Sequence, residues 1–140
     1  LNDMGDYMFS QYAGNWIPDS NARRRAILER LSSWAPFSNS SPVEGITKAI
    51  GRFYAADKKI SLYVFGDDFS GGMMQNVVDT IRNRNAAGSG RNSRVRIHTV
   101  GFPVLLAQPG AAQNAARFAA LMRRLAEDNN GSFVGLPALR

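Results

Sequence analysis

Cysteine is absent from the 140 residues, which excludes a disulfide framework, a thiolate metal site and any cysteine nucleophile. Histidine occurs once, at position 98 inside a strand-like run, and no Gly-x-Ser-x-Gly elbow is present, so a serine hydrolase lacks both its base and its turn. The glycine-rich stretches lack the Gly-Lys-Ser ending of a phosphate loop. Acidic residues are few: 11 Asp and Glu stand against 17 Lys and Arg, a formal net charge of +6. No apolar run approaches the roughly 20 residues that span a bilayer, and Leu1-Asn2-Asp3-Met4 lacks the basic-then-apolar start of a signal peptide. These absences favour a soluble protein, with the cytoplasm slightly preferred. A first residue other than Met suggests a chain that begins inside a longer protein, so missing targeting signals say little about that parent.

With 44% hydrophobic residues, this length suits one domain with a real core. Residues 1–37 carry the weaker patterning. Tyr7-Met8-Phe9 reads as a strand, and Ser20 as the N-cap of a helix over about Asn21 to Trp34 in which Ile27, Leu28, Leu31 and Trp34 recur at helical spacing. From residue 38 to 136 the patterning sharpens. Pro42 opens a helix with Val43, Ile46, Ile50 and Phe53 on one face, and Ile60 to Phe65 form a strand. Met73, Val77, Val78 and Ile81 mark a third helix, ended by a loop from Asn83 to Asn92, and Val95 to Val100 a second strand. A helix from Gln113 to about Asp128 is capped by Asn129-Asn130-Gly131 before the short strand Ser132 to Leu136. Such alternation predicts an α/β fold: three-layer, doubly wound, with a mostly parallel sheet of the Rossmann-like kind.

The first strand runs straight into Gly66-Asp67-Asp68-Phe69-Ser70-Gly71-Gly72. Ligands of open α/β sheets bind at the carboxyl ends of the strands, so Asp67 is the leading candidate for metal ligation or partner contact. Two adjacent carboxylates repel one another unless a cation or an arginine stands near. A local reading competes with this one, in which the acids satisfy the amides at the start of the next helix.

Four pieces in order carry a family resemblance: Ser41-Pro42-Val43, Leu62 to Asp67, Arg96-Ile97-His98-Thr99-Val100-Gly101-Phe102, and Leu125-Ala126-Glu127-Asp128-Asn129-Asn130-Gly131-Ser132-Phe133. Together they resemble the later part of a von Willebrand factor A domain of the bacterial branch. The resemblance covers about 100 residues and implies a module that binds another protein, without catalysis. It also implies a metal-ion-dependent adhesion site, in which a divalent cation (Mg²⁺, or Mn²⁺ or Ca²⁺) keeps an open position for an acidic side chain of the partner. Asp67 matches that family's third-loop carboxylate and Ser41 its second-loop hydroxyl, with Asp68, Ser40 and Ser70 as further contacts to metal or partner. The family's first-loop Asp-x-Ser-x-Ser is missing, since Asp19-Ser20-Asn21-Ala22-Arg23 fails at every later position. The fold is therefore expected to be N-terminally incomplete and its metal binding weak or absent. Reading Asp68-Phe69-Ser70-Gly71-Gly72 as the first loop would need a later Ser/Thr loop and a second carboxylate, and nothing downstream supplies them, since the next acid after Asp79 is Glu127, deep in a helix.

Other readings stay open. Ser41 with Glu44 three residues on is also a capping box. A metal-binding accessory domain of an ATPase or chelatase-like complex would have the same pieces. Arg82, Arg84, Arg91, Arg94 and Arg96 surround one loop and offer a basic nucleic-acid surface. Without interleaved aromatics, solvated faces explain them more simply. His98 reads as a core or interface residue, and Met73-Met74 as core filling.

Overall fold

Ser20 adopts an extended backbone and its hydroxyl accepts the Arg23 N–H at 3.2 Å, which turns the chain into α1 (Asn21–Ser32). The second helix, α2 (Val43–Phe53), starts after Pro42, which holds the N-cap position and offers no side-chain acceptor; Ser41 stands one residue before the cap. Strand β1 (Ser61–Gly66) leads to α3 (Met74–Asn85), β2 (Arg96–Gly101), α4 (Ala111–Asp128) and β3 (Phe133–Gly135). These elements belong to a computed structural model that describes residues 1–2, 4–33, 41–69, 72–86, 93–102 and 111–136. The order of helices and strands from α1 onward is the one the sequence predicts.

Two expectations need correction. Tyr7-Met8-Phe9 do not form a strand. They lead into a short 3-10 turn, Ser10–Tyr12, where local bonds such as Tyr12 N–H to the Phe9 carbonyl satisfy the backbone instead. The third helix also runs past Asn83 to Asn85, because the Asn85 side chain is anchored in the interior. Trp34 and Phe37 lie outside the described residues.

The sheet has the order β1-β2-β3 and is parallel throughout, with Ser61 opposite Arg96 and Gly66 opposite Gly101. The protein is thus a mixed α/β chain of Rossmann-like type. Along β1 and β2 one alternation, Leu62, Val64, Ile97 and Thr99, turns toward the helices. Onto it pack Ile46 and Ile50 of α2, Val77, Val78 and Ile81 of α3, and Phe118, Leu121, Met122 and Leu125 of α4, as one core. Gly66 lets the Phe118 ring close over the carboxyl end of β1, since a Cβ there would stand 3.0 Å from the ring. Buried Thr99 donates its hydroxyl proton to the Met122 carbonyl at 2.8 Å. The other alternation, Tyr63 and Phe65, stays in solvent, so among the described residues α2, α3 and α4 supply a single helix layer.

A buried polar pair fixes how the layers meet. The Asn85 amide donates to the Val95 carbonyl and to Asn129 Oδ1, at 2.8 and 2.7 Å, and accepts the Val95 N–H at 2.9 Å. Asn129 donates in turn to the Leu125 carbonyl at 2.7 Å, and its own carbonyl accepts the Ile97 N–H. α4 then ends in a Schellman turn: Asn130 takes the left-handed conformation (φ 58°) and Gly131 N–H reaches the Ala126 carbonyl. Gly131 is dictated by contact, because a Cβ there would fall 1.7 Å from the Ile97 carbonyl oxygen. Asn85→Ala, which strands both Val95 backbone groups, is expected to cost about 2–4 kcal/mol in urea unfolding, and Gly131→Ala at least as much. Asn130→Gly, at a position glycine accepts, should stay within about 1 kcal/mol of the parent.

Candidate functional site

The carboxyl edge of the sheet is where β1 releases Asp67 and Asp68, and the two acids behave differently. Asp67 is exposed and makes no ion pair among the described residues. Asp68 is half-buried, and its Oδ1 accepts the Phe69 N–H at 2.7 Å, a local turn bond anchored by the buried Phe69 ring. Neither caps α3, whose N-cap is Met73 without a side-chain bond. Of the methionine pair, only Met74 packs against the core; Met73 is exposed because the cap position turns it outward.

Ser41 reaches this edge by topology. The segment after α2 delivers the chain to the amino end of β1, and α2 packs on β1, so the start of α2 lies toward β1's carboxyl end. Ser41 there is half-buried and already has a polar contact. Ser40 and Ser70 lie outside the described residues. One carboxylate and one hydroxyl do not fit a resident divalent cation, which takes roughly six to eight oxygens for Ca²⁺ or a full octahedron for Mg²⁺. Among the described residues no three His, Cys, Asp or Glu side chains gather closely enough to hold a metal.

The described arginines of this group are drawn to different partners. Arg82 pairs with Asp79 at 3.2 Å and with Asp128, whose hydrogen bond raises the guanidinium above its ordinary pKa. Arg84 lies against Gly51 of α2, Arg94 stands over the Tyr54 ring at 5.5 Å, and Arg96 occupies the open face of the sheet. Arg91 lies outside the described residues.

His98 is fastened in place. Its Nδ1 accepts the Ser132 N–H at 3.2 Å, and its ring stacks on Tyr63 with centroids 4.9 Å apart. Beside this pair Phe65 stacks on Phe102 at 6.2 Å. Sequence reasoning missed this aromatic face, although its signal was present: an unbroken apolar run such as Ile60 to Phe65 belongs to a strand with two faces to cover. At the amino end of the sheet, away from the acids, Tyr7, Phe9, Tyr12, Trp16 and Phe53 help line an apolar cavity of about 380 Å³.

Comparison with family models, with curated proteins and with solved structures returns no match. No helix among the described residues is long and apolar enough to cross a membrane.

Asp67→Ala is expected to leave stability unchanged within about 0.5 kcal/mol, because the exposed side chain makes no ion pair among the described residues. Asp68→Ala should cost about 1 kcal/mol through its turn bond. A thermal melt of the two variants separates the acid that is free to act from the acid that builds the loop.

Proposed function

We propose that this chain is a protein-interaction module resembling the later part of a von Willebrand factor A domain, with Asp67 as its principal contact residue. The observation that carries this reading is an exposed carboxylate with no ion pair among the described residues, at the carboxyl edge of a parallel sheet, with Ser41 on the same edge. Binding is favoured over catalysis because the ring of the single histidine is stacked on Tyr63 with its Nδ1 shared between the Ser132 N–H and the Ser132 hydroxyl, 3.1 Å away, and among the described residues no carboxylate bonds the ring to orient it as a base.

The resemblance brings a divalent cation into the reading, and the donor set limits its role. A cation would supply Lewis acidity and an open position for a partner carboxylate. In this chain Asp67 would hold it, with Ser41 as a second oxygen, and two donors make a weak site. Titration with Mg²⁺ or Mn²⁺ by calorimetry should therefore give a dissociation constant of about 1 mM or weaker. Heat corresponding to sub-micromolar affinity would sink this assignment, and retention of such affinity in Asp67→Ala would place the site elsewhere.

A further inference from the structure

Two apolar surfaces in this chain lack partners among the described residues. The first is the open face of the sheet, where Tyr63 and Phe65 are each 62% exposed and Phe102, Val134 and Leu136 are exposed beside them. At about 150–250 Å² per aromatic side chain, the patch amounts to several hundred Å², the size that marks interaction surfaces. Parallel sheets are almost always covered on both faces, and helices are what covers them. The second surface is the outer face of α1, which buries none of its residues and meets the 3-10 turn through Arg23 over the Tyr12 ring at 4.8 Å, while Leu28 is 66% and Leu31 52% exposed one turn apart.

Charge matches the two surfaces at the Asp67 end. The open face carries Arg96 at its amino end and exposed Asp67 at its carboxyl end, six residues along from the Ser61–Arg96 pair, or roughly 20 Å. α1 has 12 residues, or about 18 Å, with Arg23, Arg24 and Arg25 in its first turns and Glu29 beside Arg30 in its last; Arg24 pairs with Asp19 and Arg23 stands over the Tyr12 ring, which leaves Arg25 to meet an outside acid. A helix laid antiparallel to the strands brings its arginine-bearing start to Asp67, and Arg25 there adds to the helix dipole in the same sense. Leu28 then lies over Phe65, and one turn back, about 5 Å, Arg25 meets Asp67, which is two strand residues or about 7 Å beyond Phe65.

We propose that the open sheet face is a self-association site that receives α1 of a second copy of this chain, Leu28 and Leu31 covering Tyr63 and Phe65 and Arg25 pairing with Asp67. Tyr63, Phe65, Leu28 and Leu31 are all solvent-facing, so replacing them tests the contact without opening the core. The inference goes beyond metal-linked partner binding and does not rest on it.

Sedimentation equilibrium of the whole chain from about 10 µM to 1 mM reads the association directly. The parent is expected to pass from monomer to dimer in this range, more weakly at high salt. Phe65→Ser and Leu28→Asp should each weaken association at least tenfold, on the order expected for loss of a central apolar anchor, with circular dichroism verifying that both remain folded. Asp67→Arg and Arg25→Glu should each weaken it, while mixing the two variants restores it by forming the reversed pair. A monomer throughout the range overturns the proposal. So does a dimer that Leu28→Asp leaves intact, since another surface would then cover the sheet. Failure of the mixed charge variants to associate excludes the proposed direction of the helix.

Discussion

Asn85 and Asn129 meet side chain to side chain inside a mostly apolar interior, and the placement of the sheet depends on that contact. A buried amide without partners costs on the order of 1–3 kcal/mol, so the pair is stable only when every bond is made together. Those bonds fix both backbone groups of Val95 to the end of α3 and the Ile97 N–H to the end of α4. The phase of β2 is thereby pinned. A slip of one residue would bury Arg96 and His98 and expel Ile97 and Thr99. The same pin decides which side chains reach the open face.

That face follows from a mismatch between strand and layer. β1 presents apolar residues on both sides, as a strand buried in a parallel sheet does, while α2, α3 and α4 cover only the Leu62 and Val64 side. Pairing within the exposed aromatics, Tyr63 on His98 and Phe65 on Phe102, lowers the cost of leaving them in water without removing it. β1 is also an edge strand with no strand partner on its outer side among the described residues. An edge of this composition tends toward association, which natural sheets suppress with charge. Here Lys58 and Lys59 precede the strand and Asp67 and Asp68 follow it, so the charges bracket the edge and leave its middle open.

The parts of this fold that follow from short-range pattern were legible in the sequence. Ile46 with Ile50, Val77 with Ile81, and Leu121 with Leu125 mark helices by spacing alone, and their alternation with apolar runs implies the parallel sheet. Asn129-Asn130-Gly131 reads as a helix end because Asn and Gly accept the turn. What the sequence hides are contacts between distant residues. Asn85 looks like the start of a polar loop until Val95 and Asn129 are seen around it, and Gly131 looks like a capping glycine until the Ile97 carbonyl stands against it. In the candidate site, the exposure of Asp67 fits its position after the strand. The division of labour with Asp68 does not show in two adjacent identical letters, because it comes from one local bond to the Phe69 amide.

Asp67 is where the two proposed interactions meet, and the physics makes them exclusive. A carboxylate paired with Arg25 of a second copy has its charge largely neutralised, and a cation then loses the electrostatic gain that would bind it. A cation on Asp67 repels the arginine-rich start of α1 in the same way. By linkage, each event must weaken the other by one common factor. Two donors give the cation little affinity, whereas the second copy adds apolar cover to the same charge contact. If both interactions operate, the balance at low metal lies with self-association, and Asp67 becomes available to a cation or to another hydrogen-bond donor only as the covering helix leaves.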